Sequence, residues 1–254
     1  MRKITLLFSL ALLATSLAFA QTTNYSGPDA NGIYTYTGEP VSAININFST
    51  WAAGDLPATL SDDMVLQEVT KDGCTYGFVK WKLAWYDSGE VKQRVLFNND
   101  NADFSTGPKN NATTNKPSIY FPTTVRGIQS ISVTYVKVNN NGTESKHWFT
   151  PVYTDSEGLH DNVKSVSLLL PANQTAVLET ETWTINSEGP TTLYLQHTGT
   201  TWPRIASIVF TLKPVDPTDI DNTDADTKVT KLIENGKLVI IKNGVRYNVL
   251  GSKF

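Results

Sequence analysis

From about residue 40 to residue 212 the chain alternates apolar and polar positions with a period of two. No stretch carries the three-to-four spacing of a long amphipathic helix. Val, Ile, Thr, Tyr and Trp fill the apolar phase, and these side chains suit a pleated, half-buried surface. The pattern predicts strands over residues 43–48, 76–85, 92–97, 118–121, 129–138, 163–170, 176–185, 191–196 and 205–212. Gly, Pro, Asn and Asp clusters punctuate them. Many short strands with such breaks give an all-β fold, an antiparallel β-sandwich of the jelly-roll kind. Within residues 76–85, Val79, Trp81, Leu83 and Trp85 share one phase and read as core, opposite Lys80 and Lys82.

Two segments break the alternation. Residues 98–118 form a long Asn-rich polar connection, of the kind that is functional or mobile in compact domains. Residues 214–227, PVDPTDIDNTDADT, hold two prolines, five aspartates and no aromatic residue, and read as a linker. The aspartates at 219, 221, 224 and 226 lack the glycine and closing glutamate of a calcium loop, so they read as a solvated spacer. Beyond the linker, residues 228–254 carry six basic residues and one acidic one. Asn-Gly pairs at 235–236 and 243–244 sit between apolar runs, the strongest short hairpin signal. They predict a three-stranded meander over 230–233, 237–241 and 245–249.

The first residues, MRKITLLFSLALLATSLAFAQ, join a basic start to a short apolar run and an Ala-Phe-Ala close. That is the form of a signal peptide cut after residue 20. The expected organisation is 1–20 signal, 21–213 sandwich, 214–227 acidic linker and 228–254 tail. No later run is long enough to predict a membrane span. Without Arg2 and Lys3, nineteen basic residues face twenty-four acidic ones, a balance of −5. This speaks against nucleic acid as a partner, because nucleic-acid binding needs basic patches. The single cysteine, Cys74, has no disulfide partner and reads as a small buried hydrophobe.

Catalytic and cofactor motifs do not emerge. The sequence has no H-E-x-x-H, no G-x-S-x-G and no Gly-rich phosphate loop. His147, His160 and His197 lack metal-ligand spacing, so neither cofactor nor metal is expected. Sugar recognition, by contrast, needs flat aromatic faces beside planar polar groups. Trp202 in HTGTTWPR falls outside any alternation, between two strands, with Arg204 two residues on as a donor fork. His147 and Trp148 form a second candidate pair. Glu179, Glu181 and Trp183 share one phase of a strand, with a step of about 6.6 Å between the carboxylates. They read as a polar face or sugar platform, since carboxylates aligned on one strand do not flank a scissile bond. Trp51 stays undecided.

Tyr247-Asn248-Val249-Leu250-Gly251, within GKLVIIKNGVRYNVLGSKF, resembles the "YNVLGQ" segment of type IX secretion sorting domains of Bacteroidetes, in an abbreviated form. The resemblance implies export through the periplasm, a secreted or cell-surface location, and secretion machinery as the tail's partner. INFSTWAAGDLP, KPSIYFPTTVRGIQSISVTY and GPTTLYLQHTGTTWPRIASIVFTL resemble galactose-binding-like jelly rolls. Such domains accompany secreted polysaccharide-degrading proteins, pectate lyases among them. That resemblance implies a non-catalytic module binding a polysaccharide or other glycan. A structural or adhesive surface protein is the alternative. A lyase or hydrolase would bring two of Arg94, Arg126 and Arg204 together on one groove.

Overall fold

The computed structural model describes residues 24–56, 65–98, 117–139, 142–198, 203–215, 229–242, 244–248 and 253. The chain divides into two compact units, Met1–Lys213 and Pro214–Phe254. The strands of the first unit, in chain order, are β1 (Tyr25–Ser26), β2 (Thr35–Tyr36), β3 (Asn45–Asn47), β4 (Gln67–Lys71), β5 (Cys74–Val79), β6 (Lys82–Ser88), β7 (Val91–Phe97) and β8 (Ser118–Tyr120). There follow β9 (Ile128–Lys137), β10 (Ser145–Asp155), β11 (Gly158–His160), β12 (Val166–Leu170), β13 (Val177–Thr184), β14 (Thr192–Thr198) and β15 (Arg204–Leu212). One sheet has the order β11-β10-β14-β8-β5-β4, with β12 also on β10. The other has the order β13-β9-β15-β7-β6, with β3 also on β15. The pairings within both sheets are antiparallel. Side chains from both inner faces make one core, Phe78, Trp81, Leu96, Ile131, Phe149 and Leu195 among them. The architecture is an antiparallel β-sandwich.

Strand β9 shows how the alternation works. Ile131, Val133 and Tyr135 are buried, while Ser130, Ser132 and Thr134 face outward. The outward hydroxyls meet those of β13: Ser132 and Thr182 lie 2.8 Å apart, as do Thr134 and Thr180. The outer face of the other sheet is covered in part by the β1–β2 hairpin. Tyr25 packs there against Tyr120, and its hydroxyl donates to the carbonyls of Thr75 and Tyr120 at 3.1 Å each.

Two departures from the sequence pattern matter. Residues 76–85 are not one strand. Lys80 adopts a left-handed φ of 59°, which ends β5 in one sheet and lets β6 begin in the other. Val79 consequently joins the tyrosine cluster outside the sandwich, while Trp81 and Leu83 enter the main core. Trp85 leaves the core altogether and is 62 % exposed. The second departure is β10, eleven residues long and near the centre of its sheet, which the alternation did not reveal. Pro151 breaks its reading, because a proline cannot donate to a ladder. In the fold Pro151 falls in a gap: β12 pairs β10 only as far as Phe149, and β11 pairs it only from Tyr153.

Trp51 is buried against Phe48 and Phe78. Cys74 is buried, and its thiol points to the Ala43 carbonyl at 3.5 Å. In the second unit, β16 (Val229–Glu234), β17 (Lys237–Lys242) and β18 (Val245–Tyr247) form an antiparallel meander. Asn235 and Gly236 both have positive φ, 52° and 75°, as a type I′ turn requires. The spacer aspartates at 219–226 and most of the 98–118 connection lie outside the described residues.

Candidate functional site

The β6–β7 hairpin forms one edge of its sheet and overhangs the core. On its inward phase Leu83 and Leu96 are buried, Arg94 is half-buried, and Trp85, Asp87 and Lys92 are exposed. Burial thus falls steadily towards the turn at Gly89, so the last inward-phase side chains face water instead of the opposite sheet. Trp85 and Arg94 are direct cross-strand neighbours. The guanidinium carbon lies 5.9 Å from the ring centre of Trp85, within reach of a cation–π contact. Beside them Asp55 accepts from Lys71 at 2.7 Å and from the Ala52 amide at 2.8 Å. The Lys71 hydrogen bond holds the Asp55 carboxyl below its usual range against the opposing effect of burial, and the charge of Arg94 adds to this. A flat exposed indole next to a guanidinium fork matches the chemistry of a sugar platform: one face for C–H groups, planar donors for hydroxyls.

The residues singled out in the sequence do not gather at one place. Trp202 lies outside the described residues. Arg204 opens β15 and is half-buried, with its guanidinium 5.0 Å from the ring centre of Tyr86 and 5.7 Å from that of Phe97. These rings stand on the outer face of the sheet, opposite the face that carries Trp85 and Arg94. Arg94 and Arg204 therefore occupy two faces of one hairpin and do not converge on a groove.

His147 is a correction. It is 0 % exposed and points inward, with Nδ1 3.1 Å from Nε2 of buried His197. Burial, helped by the charge of Arg204, pushes its pKa down to about 3. A neutral core imidazole of this kind cannot meet a surface ligand. Trp148, on the opposite phase of β10, is half-buried and faces outward between Thr198 and Ser167 of the neighbouring strands.

Trp183 is a second correction. Glu179, Glu181 and Trp183 do share a phase, but it is the inward one. Trp183 is 8 % exposed and its ring centre lies 6.0 Å from that of Phe149, inside the main core. Glu179 and Glu181 are half-buried at the sheet edge, and Glu179 is ion-paired with Lys137. Their charges, after burial, help push the Tyr135 hydroxyl up to about 12. The exposed phase of β13 is Leu178, Thr180, Thr182 and Thr184 instead.

The sequence pattern puts Trp85 in the core and Arg94 only among the arginines of a possible groove, so it does not bring the two together. One signal was present: the apolar phase stops at Trp85, and Asp87 takes the next position in that phase. An overhanging hairpin reads as such a loss of the apolar phase before the turn.

No protein-family model and no curated protein matches the chain. Among solved structures it is similar to the CBM22-1 xylan-binding domain of Xyn10C from Paenibacillus barcinonensis, at 12 % identity and a TM-score of 0.35, over 70 % of this chain and 99 % of that one. It is also similar to a CBM35 from Paenibacillus barcinonensis, at 14 % identity and a TM-score of 0.32, over 59 % and 99 % of the two chains. The K1 cleaved adhesin domain of Lys-gingipain from Porphyromonas gingivalis W83 matches at 10 % identity and a TM-score of 0.37, over 68 % and 100 %. At these scores the likenesses carry no weight for what the chain binds.

Proposed function

We propose that the first unit is a non-catalytic carbohydrate-binding β-sandwich, exported to the cell surface or beyond, which takes a polysaccharide or other glycan on the Trp85 ring. The observation that carries this reading is the 62 % exposure of Trp85 beside the Arg94 guanidinium. Leaving an indole in water forgoes roughly 1.5–3 kcal/mol of burial. A sugar face that stacks on the ring recovers part of that, and Arg94 supplies hydroxyl-directed donors already held against the indole. The overhang keeps both side chains on strands, so the platform is fixed before the ligand arrives. The leader-like start and the basic tail that resembles a sorting domain support export, with the tail as the part addressed to secretion machinery.

A glycan-array screen of the chain, with Trp85→Ala in parallel, tests the proposal. Binding that the variant loses supports it. Silence across neutral and acidic glycans, or equal binding by the variant, counts against it and favours a structural or adhesive role.

A further inference from the structure

The outer face of the β6–β7 hairpin carries a second arrangement that the Trp85 platform does not use. Lys82 pairs with Phe97 across β6 and β7, and Phe97 pairs with Arg204 across β7 and β15. The three residues therefore stand in one row, two cations flanking an aromatic ring. The Lys82 ammonium lies 5.3 Å and the Arg204 guanidinium carbon 5.7 Å from the centre of that ring. Tyr86 lies under the same guanidinium at 5.0 Å, and its buried hydroxyl has no hydrogen-bond partner among the described residues.

Among the described residues this grouping has no counter-charge in an ion pair. Two like charges held over one aromatic ring repel each other. Burial has stripped Arg204 of part of its hydration, which lowers its pKa. A half-buried cation is ordinarily matched by a carboxylate. Among the described residues the ion pairs use Lys71, Lys92, Lys137, His160, Lys213 and Arg246, and none uses Lys82 or Arg204. The same sheet does pair Lys137 with Glu179 and Lys92 with Asp87.

We propose that Lys82, Phe97 and Arg204 form an anion-accepting site for the carboxylate or sulfate groups of an acidic saccharide. The inference rests on the glycan reading for the class of ligand, but it concerns a different face from Trp85. The guanidinium fork takes a carboxylate or sulfate through two parallel N–H bonds, and stacking on Tyr86 and Phe97 holds the fork in place. Lys82 and Arg204 stand two strands apart, about 10 Å between backbones at ordinary strand spacing. A ligand that satisfies both therefore spans that row, which suits a saccharide more than a lone ion. The chain's net charge of −3 repels polyanions at long range, so the site acts through local contact.

Titration of the full chain with polygalacturonate, dextran sulfate and a neutral xylan, at low and physiological salt, tests the site. Wild type is expected to bind at least one acidic polymer, more weakly as salt rises. The double variant Lys82→Gln/Arg204→Gln is expected to lose roughly tenfold or more of that affinity, with neutral-glycan binding and melting temperature unchanged. Arg204→Lys, which keeps the charge without the fork, is expected to fall between. The two acidic probes separate carboxylate from sulfate. Wild type that binds neither acidic polymer, or a double variant that binds them undiminished, overturns the site. If neutral binding depends on Trp85 while acidic polymers are ignored, this inference fails and the glycan reading stands. If acidic binding depends on Arg204 while Trp85→Ala changes nothing, the site stands and the Trp85 platform fails.

Discussion

His147 and His197 face each other across β10 and β14 with Nδ1 and Nε2 3.1 Å apart, both rings buried in the sandwich core. The contact works as a hydrogen bond only while one nitrogen holds the proton and the other accepts it. A second proton would put a charge into the core, beside rings that burial keeps neutral.

Stability is expected to fall with acid through this pair. The folded pKa of His147 is about 3, against an ordinary value of 6.5. The unfolded chain therefore binds the proton more readily than the folded one. The contribution is complete above pH 6.5 and is lost as pH falls from there towards 3. The slope is up to ~1.4 kcal/mol per pH unit, or ~2 kcal/mol at pH 5. Urea midpoints between pH 7.5 and 5 check this, and His147→Phe is expected to flatten the dependence. A midpoint that does not change over that range would sink the account.

Asp155 gives a second, more acidic step. Its carboxylate accepts the amides of Glu188 and Glu157 at 2.8 and 2.9 Å and a ring nitrogen of His160 at 2.9 Å. Burial works against the charge, but these donors outweigh it and hold the pKa below 3.8. This contribution is present above the ordinary carboxyl value and disappears as pH falls through the folded one. Asp155→Ala is expected to cost about 1–3 kcal/mol at pH 7, and chemical denaturation of the variant reads it. The variant should also show less loss of stability below pH 4 than wild type.

The tryptophans divide by position. Trp183→Ala should cost about 3–5 kcal/mol, because it opens a cavity against Phe149. Trp85→Ala should stay within roughly 0.5 kcal/mol of wild type, as surface substitutions do. Parallel urea curves distinguish the two. A large loss from Trp85→Ala would show that the ring packs and would remove it as a platform.

Lys80 carries the chain between sheets at a φ of 59°. A β-branched residue there is strained, so Lys80→Val is expected to cost about 1–3 kcal/mol. Lys80→Gly relieves the sterics and should be neutral within ~1 kcal/mol. Thermal melts of the pair decide it, and equal losses would contradict a backbone origin.

The alternation of β9, β13 and β15 and the Asn-Gly turn of the tail were legible because each follows from a local rule: period two for a half-buried strand, positive φ for a tight turn. What misled was tertiary. Period two places Trp81 and Trp85 together, but only the sheet change at Lys80 and the overhang of the hairpin decide that one is core and the other surface. Pro151 hid the longest strand, because its tolerance depends on a gap between two partner strands distant in sequence. Glu179, Glu181 and Trp183 were placed correctly on one phase, yet charge suggested an outward face. At a sheet edge the carboxylates reach water, and Lys137, while Trp183 two residues on is already under the opposite sheet.

The central claim is that a glycan seats on Trp85, and the indole N–H signals test it most directly. The chain has six tryptophans, so a proton–nitrogen correlation spectrum resolves each during titration with the best binder from the array. The account predicts a saturable shift of the Trp85 indole, with buried Trp81 and Trp183 unmoved. A Trp85 signal that stays in place while the glycan binds, or an array with no binder at all, would contradict it.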